Sequence, residues 1–556
     1  MSKQAYSFKI CFCFKRIFKL REAEPPGDVK RLFEDYSKDG IMTIDDLLRF
    51  MVEFQKETDA TKEDALAIFY SLRHLNIFQG KGLHLHAFFR YLLGDLNPPV
   101  PPSSKVHHSM SAPLSHYFMF TGHNSYLTGN QLSSDSSSAP IIKALKNNVR
   151  VIELDLWPNA GKDRVEVCHG GTLTSPVDLA KCLQAARDYA FVASDYPVVL
   201  TFEDHLTPFL QSKVAELVTK TFGAMLHRPE TGPMAEFPSP DSLKRKILIS
   251  TKPPKEYLEF QKSMEEENEL DQEEQSAQQE QDENEGNVFP EYRHLISIHA
   301  GKPKGGVEGY LRIDPTRVRR LSLSEQELDS ISGTYGPDIV RFSQRNLLRI
   351  YPKGLRFDSS NYNPFLGWAH GAQMVAVNMQ GYGKFLWIMQ GMFRGNGGCG
   401  YIRKPDLLMN PVDIFDPRKT LPPKTILKVT VYLGEGWHLD FRKTHFDKFS
   451  PPDFYARVGI AGVAADSIMK RTSAIEDEWI PSWNEEFEFQ ITVPELAVLR
   501  IEVLEYDTTG SPDFGGQTCL PVSELREGIR AVPLHSRKGE RYRSVKLLMR
   551  FQFIPC

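Results

Sequence analysis

The chain carries the stretch VRVIELDLW at residues 149–157, a short apolar run that predicts a buried β-strand. Two carboxylates, Glu153 and Asp155, interrupt this run. Side chains two residues apart on a strand share one face and lie roughly 7 Å apart. An unpaired buried charge destabilises a fold strongly, and coordination of a metal ion removes that cost. The stretch therefore predicts a strand that carries metal ligands into the interior of a sheet or barrel.

Seven further apolar runs lie around this strand, between about residues 107 and 410, and helical patterns or long loops separate most of them. They are HYFMF, VEVCH, YPVVLTFE, KILIST, HLISIH, NLLRIY and QMVAVNM. Eight strands separated in this way predict an α/β barrel of the (β/α)8 type rather than an antiparallel sandwich.

The segments on either side of the predicted barrel have a different pattern of apolar residues. Residues 28–96 have the apolar periodicity of helices and end before a proline-rich linker. Residues 424–556 alternate short apolar strands with turns, which predicts a separate antiparallel β-sandwich. Residues 1–27 form a basic, aromatic tail. Two interpretations stay open for it: a membrane-surface segment lipidated at Cys11 or Cys13, or a disordered terminus.

The composition is that of a folded, multi-domain protein. The chain has 556 residues, of which 41% are hydrophobic and 25% charged, so collagen, a disulfide scaffold and wholesale disorder are excluded. No apolar run reaches the roughly 18 residues of a membrane-spanning helix, although binding to a membrane surface stays open. The seven cysteines are scattered without a CxxC pair, which is typical of free thiols in a reducing compartment.

An acidic segment interrupts the predicted barrel. Residues 261–286 hold eleven Asp or Glu and one Lys, so they carry a charge of −10, and the rest of the chain carries +6. Their polar composition predicts a disordered linker over 255–288, between barrel halves at 107–254 and 289–410. The basic remainder suits an anionic surface, although a solvated basic excess explains the charge equally well.

Polar residues gather at the carboxyl ends of the predicted strands, where a barrel of this type builds its active site. His123 and Asn124 follow the first strand, His169 ends VEVCH, and Glu203 and Asp204 end a third strand. Oxygen ligands without thiols favour calcium or magnesium over structural zinc. The residues alone predict a metal-assisted hydrolase or lyase in which histidines move protons.

The loop DYSKDGIMTIDD at 35–46 has the spacing of an EF-hand calcium loop. Its positions 1, 3, 5, 6, 9 and 12 are filled by Asp35, Ser37, Asp39, Gly40, Thr43 and Asp46. Because position 12 is Asp rather than the longer bidentate Glu, calcium binding and a degenerate structural loop both stay open.

Several strings resemble one family of enzymes. In the first half of the barrel they are GHNSYL at 122–127, IELDLW at 152–157, CHGGTLTS at 168–175 and LTFEDHL at 200–206. In the second half they are LRIYPKGLRFDSSNYNPFLGW at 348–368 and NGGCGYIRKPDLL at 396–408. From about residue 107 to 556 the chain is similar, in the same order, to eukaryotic phosphoinositide-specific phospholipase C.

The resemblance implies an organisation for the whole chain. The expected fold is a distorted TIM-like barrel whose X half (107–254) and Y half (289–410) flank the acidic linker. EF-hand-like helices precede it, and a C2-type sandwich follows. This arrangement is similar to the short plant-type form without a pleckstrin-homology domain.

The resemblance also implies a catalytic site with calcium as the cofactor. The family's calcium ligands match Asn124, Glu153, Asp155 and Glu203. By the same likeness His123 stabilises the charge that develops on the phosphate, and His169 is the general acid. Glu153 takes the proton of the inositol 2-hydroxyl, whose intramolecular attack gives a cyclic phosphate that water later opens.

Headgroup binding is implied for Lys252, Ser324, Arg349 and Tyr351. One departure stands out, because Ser250 occupies the place of a second lysine in animal members. That difference bears on how strongly the 4-phosphate is preferred.

Membrane contact is implied at two places. A ridge at the barrel mouth matches Leu132, Gly171, Leu173 and Leu355; glycine and the loss of aromatics weaken it, so docking is expected to depend on the C2-like sandwich. Its expected calcium ligands are Asp447, Asp453, Asp477, Glu505, Asp507 and Asp513.

The implied function is calcium-dependent hydrolysis of phosphatidylinositol 4,5-bisphosphate to diacylglycerol and inositol trisphosphate. The expected partner is an anionic membrane containing phosphoinositides, with no nucleic acid. The expected location is the cytoplasm and the inner face of the plasma membrane. Two alternatives stay open: a catalytically silent calcium-sensing adaptor, and a glycerophosphodiester phosphodiesterase, which would not explain the C2-like sandwich.

Overall fold

The computed structural model describes residues 5–9, 15–72, 82–101, 106–229, 234–253, 290–303, 305–442, 444–447, 449–507 and 511–556. The predicted acidic linker at 255–288 lies outside these residues, as do Cys11 and Cys13. The chain divides into two compact units. The barrel unit comprises Val106–Met389 and Gly398–Lys419, and the helix–sandwich unit comprises Met1–Lys105, Gln390–Gly397 and Thr420–Cys556.

Among the described residues, the helix–sandwich unit begins with an antiparallel hairpin and four helices. These elements are β1 Ala5–Lys9, β2 Lys15–Lys19, α1 Gly27–Tyr36, α2 Ile44–Glu53, α3 Lys62–Leu72 and α4 Leu85–Leu92. The EF-hand-like loop ends at α2, where Thr43 and Asp46 form a capping box. Both the amide and the hydroxyl of Thr43 donate to the Asp46 carboxylate, so the last position of the loop serves as a helix cap.

The barrel unit contains twelve strands among its described residues. They are β3 Tyr117–Met119, β4 Thr121–Gly122, β5 Val151–Pro158, β6 Val165–Val167, β7 Val177–Asp178, β8 Val198–Asp204, β9 Ile247–Thr251, β10 Ile296–His299, β11 Arg320–Ser324, β12 Leu347–Tyr351, β13 Met374–Val377 and β14 Tyr401–Arg403. The helices over the same stretch of chain are α5 Ser138–Lys146, α6 Leu179–Tyr189, α7 Pro208–Phe222, α8 Pro290–His294, α9 Gly306–Leu311, α10 Glu325–Arg345, α11 Phe365–Trp368 and α12 Lys384–Met392.

Eight parallel strands form the barrel in the spatial order β10, β9, β8, β5, β4, β13, β12, β11. A parallel bridge between Ala300 and Arg320 connects the two ends of this order and nearly closes the barrel. The predicted (β/α)8 class is therefore confirmed. At the amino ends of the strands the interior is apolar, with Val151, Val199 and Met374 in one buried cluster. This packing leaves the carboxyl ends for polar residues.

Two of the strand predictions were wrong. VEVCH is not a barrel strand, because β6 pairs antiparallel with the far end of β5 and with β7. Its middle residue, Glu166, is only half-buried, as expected for a hairpin outside the barrel. The eighth barrel strand is β11, RLSLS, whose serines and arginine obscure an apolar run. The HYFMF prediction also splits, since β3 pairs antiparallel with β14 and only β4 belongs to the barrel.

The carboxyl-terminal part of the helix–sandwich unit is an antiparallel sandwich, as predicted. Its elements are β15 Thr425–Glu435, α13 Trp437–Asp440, β16 Phe454–Ala461, β17 Ile468–Arg471, β18 Ser482–Ile491, β19 Val498–Glu505, β20 Phe514–Pro521, β21 Gly528–His535 and β22 Arg541–Pro555. The strand orders β17-β16-β19-β20 and β21-β22-β15-β18 define two four-stranded layers. In the described part of the sandwich, the strand pairing between the layers consists of one register pair, Gln517 with His535. Aromatic and aliphatic side chains of both layers fill the core.

The amino-terminal helices pack on one layer of this sandwich. Their core includes Tyr432, Leu433 and Leu548 from the sandwich strands. Beside it, the buried Arg530 guanidinium donates to the Glu57 carboxylate at 2.5 Å. Glu57 also pairs with Arg526 at 2.6 Å, and the Arg530 guanidinium also donates to the Asn97 side chain and the Gln55 carbonyl. This connected set of buried bonds fixes the helices on the sandwich.

The described cysteines Cys168, Cys182, Cys399, Cys519 and Cys556 are free thiols. Within the same described residues, every helix is too short or too polar to span a bilayer.

Candidate active site

Three carboxylates meet at the carboxyl ends of two neighbouring barrel strands. Glu153 and Asp155 lie on β5 and are buried, and Glu203 lies on β8 and is exposed. Asp155 and Glu203 are register partners, so the strand pairing itself places them side by side. One oxygen of each carboxylate lies within 4.8 Å of the others. The arrangement presents three hard oxygen donors to one point.

The electrostatics of this group fit a divalent cation. Oδ2 of Asp155 accepts a hydrogen bond from the Tyr126 hydroxyl at 2.8 Å, whereas its buried Oδ1 has no partner. Burial, together with the charges of Glu153 and Glu203, raises the pKa of Asp155 well above its usual value. A bound cation would satisfy the orphaned oxygen and remove this repulsion, so the donor set suits calcium or magnesium.

Asn124 contributes a fourth donor from the loop after β4. Its amide nitrogen donates to Oε1 of Gln131 at 3.0 Å, so its carbonyl oxygen is the atom left for an ion. Its backbone N–H donates to Oε2 of Glu153 at 3.2 Å. Asn124 has a positive φ of 41° and is almost fully buried, which holds the side chain against the carboxylates. All four predicted metal ligands thus lie together.

Glu153 differs electrostatically from its neighbour Asp155. Burial raises the pKa of Glu153, but the Arg349 guanidinium, in a short buried ion pair, and His123 outweigh it, so the pKa lies below the usual value. Two carboxylates on one strand face therefore have pKa values shifted in opposite directions. This separation is typical of sites where acid and base roles are divided.

His123 is held at the mouth of the barrel by the residue that follows β13. Nδ1 of His123 lies 2.9 Å from Oδ1 of Asn378. Because the Asn378 amide nitrogen donates to the Ser360 carbonyl, Oδ1 is the acceptor and Nδ1 carries the proton. Burial lowers the pKa of His123, opposed by the Glu153 carboxylate. Nε2 is therefore the atom available to a substrate.

His169 is fixed in the same manner from a different element. It follows β6, and its Nδ1 donates to the Gln131 backbone carbonyl at 2.7 Å. A carbonyl only accepts, so Nε2 is again the reactive nitrogen. His123 and His169 lie within electrostatic range of one another. Since the hairpin β6–β7 delivers His169, the wrong strand prediction did not misplace this residue.

Gln131 connects the site and was missed at the sequence level. Its side chain accepts from Asn124 and donates to Asn378 at 3.1 Å and to the Ser359 hydroxyl at 2.9 Å. Its backbone carbonyl holds His169. Gln131 is 5% exposed, so these bonds lie in a buried, fully connected network. Asn378 had a readable signal, since it is a polar residue inside the predicted strand QMVAVNM, directly after the observed β13; Gln131 had none.

The predicted headgroup residues lie on the same rim of the barrel. Lys252 follows β9, Ser324 ends β11, and Arg349 and Tyr351 lie on β12. Lys252 is exposed, whereas Arg349 is buried against Glu153 with its guanidinium 5.2 Å from the centre of the Tyr351 ring. The Ser324 hydroxyl caps α10 by accepting from the Glu327 N–H at 3.1 Å. Ser250 is fully buried, and its hydroxyl donates to the Ile298 carbonyl.

The predicted ridge contains exposed leucines in adjacent loops. Leu173 is 86% exposed, Leu355 is 70% exposed, and the Leu173 N–H donates to the Leu132 carbonyl. Gly171 adds no side chain there. Two exposed aromatics nearby were not expected: Phe357, whose carbonyl accepts from Gln131, and Tyr382. Aromatic surface is therefore present at the mouth despite its absence at the four predicted positions.

The six carboxylates of the sandwich gather at one end of it. Burial, then the charges of Asp447, Asp513, Asp453 and Asp507, raise the pKa of Glu505 to about 7. Asp477 joins through its N–H, which donates to the Asp453 carboxylate at 2.7 Å. Among the described residues, no three of these groups meet the 4.8 Å spacing of the barrel carboxylates. These carboxylates therefore form an acidic cluster in which the groups lie farther apart than the three carboxylates of the barrel.

Comparison with protein families matches four segments of the chain. The X domain of phosphatidylinositol-specific phospholipase C matches residues 110–253 and its Y domain residues 313–407. A C2 domain matches 425–536, and the EF-hand-like domain of phosphoinositide-specific phospholipase C matches 24–93.

Individual relatives agree over nearly the whole chain. Phosphoinositide phospholipase C 2 of Arabidopsis thaliana is 59% identical over the full length of both proteins. The human 1-phosphatidylinositol 4,5-bisphosphate phosphodiesterase delta-1 is 31% identical, covering 94% of this chain and 71% of that protein. The crystal structure of L. pealei PLC21 shares the fold, with a TM-score of 0.74 and 24% identity over 95% of this chain and 68% of its own. The chain therefore belongs to the phosphoinositide-specific phospholipase C family of phosphodiester hydrolases.

Proposed function

We propose that the protein is a calcium-dependent phospholipase C that cleaves phosphatidylinositol 4,5-bisphosphate into diacylglycerol and inositol 1,4,5-trisphosphate. One observation carries this proposal: the cluster of three carboxylates lies at the same barrel mouth as two histidines, His123 and His169. The Nδ1 atom of each histidine is held by a hydrogen bond. Such a site presents two Nε2 atoms and a cation position to one phosphodiester.

Asn124, Glu153, Asp155 and Glu203 would hold the calcium ion. When bound, calcium would lower the pKa of the inositol 2-hydroxyl and offset negative charge at the phosphate. The three carboxylates carry −3 when ionised, so an additional cation is needed before a phosphate is accepted. Arg349, already in contact with Glu153, is placed to provide it.

The chemical step is an intramolecular displacement. The 2-hydroxyl oxygen of the inositol ring bonds to phosphorus as the bond from phosphorus to the glycerol oxygen breaks. The Glu153 carboxylate accepts the hydroxyl proton. His169 enters the step with both ring nitrogens protonated, because the Gln131 carbonyl binds the Nδ1 proton, and it donates the proton on Nε2 to the departing diacylglycerol oxygen. The tethered nucleophile avoids the entropic cost of recruiting water.

The cyclic phosphodiester is then opened by water. The water oxygen bonds to phosphorus as the bond from phosphorus to the 2-oxygen of the ring breaks. His169, now without a proton on Nε2, accepts a proton from the water, and Glu153 returns to the 2-oxygen the proton that it took in the first step. His123 would donate from Nε2 to a phosphate oxygen in both steps. Because Asn378 binds the Nδ1 proton, this role needs a second proton on the ring, which the negative charge of the substrate favours.

Binding to the bilayer positions the lipid. Lys252, Ser324, Arg349 and Tyr351 would bind the ring phosphates, and the exposed leucines would enter the membrane. The acidic end of the sandwich, loaded with calcium, would bridge to anionic lipids on the inner face of the plasma membrane.

The decisive experiment measures release of labelled headgroup from mixed vesicles across a free-calcium titration. We expect turnover to require calcium, and His169→Ala to lose it by orders of magnitude while vesicle binding and thermal stability persist. His294→Ala, an exposed histidine on α8, is the matched control. Near-normal turnover of His169→Ala would refute the proposal.

Two outcomes identify the alternatives. Vesicle binding without turnover at any calcium concentration would indicate the silent adaptor. Faster cleavage of the deacylated glycerophosphoinositol than of the intact bilayer lipid would indicate a glycerophosphodiesterase.

A further inference from the structure

Lys302 is a cation on the headgroup rim that has no role in the site described above. It lies three residues beyond β10, and β10 neighbours β9 on one side and bridges to β11 on the other. Lys302 therefore lies on the rim between Lys252, which follows β9, and Ser324, which ends β11. This is the side of the barrel that carries Ser250, which by the family resemblance stands where animal members have a second lysine.

The Lys302 ammonium is held by Glu327 and an aromatic ring. Its Nζ donates to Oε1 of Glu327 at 2.5 Å and lies 5.1 Å from the centre of the Tyr310 ring. Both members of the ion pair are about 40% exposed. An exposed pair of this kind contributes little to stability, so the ammonium can exchange its carboxylate for a better acceptor.

The ion pair of Lys302 and Glu327 lies close enough to Tyr351, a predicted headgroup residue, to affect its electrostatics. Burial, then the Glu327 carboxylate, raise the pKa of Tyr351, while Arg349 and Lys302 act in the opposite direction. Lys302 and Glu327 therefore lie within electrostatic range of the Tyr351 hydroxyl. The Ser250 hydroxyl is not available to bind a ring phosphate, because the side chain is buried and donates to the Ile298 carbonyl.

We propose that Lys302 binds a ring phosphate of the headgroup, leaving Glu327 when the lipid enters. A phosphate monoester offers three acceptor oxygens and up to two charges, so it is a stronger partner for an ammonium than one carboxylate. Glu327 then remains bonded to the Ser324 N–H at 2.9 Å and keeps the cap of α10. The inference rests on the proposed function and concerns its substrate preference.

Two variants of the full-length protein test this with opposite expected signs. Lys302→Met should weaken binding of soluble inositol 1,4,5-trisphosphate, measured by calorimetry in calcium, by about tenfold. It should lower kcat/KM for the bisphosphate lipid by about the same factor. The kcat/KM for phosphatidylinositol, whose ring carries no phosphate monoester, should stay within about twofold of the wild-type value. Glu327→Gln keeps the capping box and frees the lysine, so binding of the trisphosphate should tighten.

Lys244→Met is the matched control. Lys244 pairs with Asp241 at 2.7 Å and lies 5.1 Å from the centre of the Tyr196 ring, but it precedes β9 at the opposite end of the barrel. It should change neither measurement.

Three results would overturn the role of Lys302. One is a kcat/KM that falls equally for all lipids in both variants while the melting temperature also falls, because this would indicate a purely structural ion pair. Another is weaker vesicle binding with unchanged affinity for the soluble trisphosphate, which indicates a membrane contact. The third is an unchanged ratio of the two lipids. Wild-type protein that cleaves no phosphoinositide would instead contradict the proposed function.

Discussion

The backbone carbonyl of Gln131 accepts a hydrogen bond from Nδ1 of His169 at 2.7 Å, and this contact fixes which nitrogen of the imidazole faces the substrate. The Gln131 side chain meanwhile bonds to Asn124 and to Asn378, the partner of His123. One residue thus orients His169, the proposed general acid, through its backbone, and through its side chain it holds Asn124, a proposed metal ligand, and the partner of His123. Gln131 therefore connects the residues proposed for catalysis with those proposed for calcium binding.

Gln131→Ala separates these two contributions, because it removes the amide and keeps the carbonyl. We expect a fall of about tenfold or more in kcat and a higher calcium requirement, since Asn124 and Asn378 each lose a buried partner. Headgroup release across a calcium titration measures both. Gln184→Ala, which removes an exposed amide bonded to Asp188, is the control. Unchanged kcat and calcium dependence would show that Gln131 is only structural.

The sequence predicts some parts of this site and not others for identifiable reasons. Glu153 and Asp155 could be found because a two-residue spacing on a buried strand is a local property. Gln131 could not, because its partners Ser359 and Asn378 are 228 and 247 residues away along the chain. The strand β11 was missed because RLSLS is buried by tertiary packing that its composition does not reveal.

Asp155→Asn should affect stability and calcium response in opposite directions. In chelator, the variant should be more stable by about 1 kcal/mol, because a buried carboxylate beside Glu153 and Glu203 is replaced by an uncharged isostere. Tyr126 can still donate to the amide oxygen. We expect calcium to raise the melting temperature of the wild type, and this increase should largely disappear in the variant.

Differential scanning calorimetry in chelator and in calcium checks both effects. Asp188→Asn, on the exposed end of α6, should change neither. A variant that is less stable in chelator, or that keeps the full calcium shift, would argue against a metal site at Asp155.

The exposed leucines of the barrel mouth should contribute directly to membrane binding. Replacing both Leu173 and Leu355 with Ser removes apolar area that would enter the bilayer, and we expect vesicle partitioning to fall by about tenfold. Affinity for soluble inositol trisphosphate should not change. Val412→Ser is the control. Val412 is 90% exposed, and the carbonyl of nearby Asn410 accepts from Gln344 at the end of α10, just before the amino end of β12 and so away from the mouth.

Phe357 and Tyr382 extend this test to the unexpected aromatics. We expect both rings to belong to the same membrane-contacting surface as the leucines. Replacing Phe357 and Tyr382 with Ser in the leucine double variant should therefore lower the fraction of protein that sediments with vesicles further. Partitioning equal to that of the leucine double variant would place them outside it.

His299, the last residue of β10, should make the fold sensitive to acid. Burial, then the positive charges of Arg317 and Arg293, lower the pKa of His299 to about 4, and its buried Nδ1 has no hydrogen-bond partner. In the unfolded chain the same imidazole has its usual pKa near 6.5. The unfolded state therefore binds a proton first, so stability is complete above about pH 6.5 and declines as the pH falls towards 4.

His299→Gln removes this linkage while keeping a polar side chain of similar reach. Between pH 7 and pH 4 the variant should lose less free energy of unfolding than the wild type, by about 2 kcal/mol once residual solvent access is allowed for. Urea denaturation at several pH values provides the measurement. His294→Gln changes an exposed histidine five residues earlier and should follow the wild-type curve. Parallel curves for wild type and His299→Gln would mean that His299 is protonated equally in both states, and that the acid sensitivity of the barrel arises elsewhere.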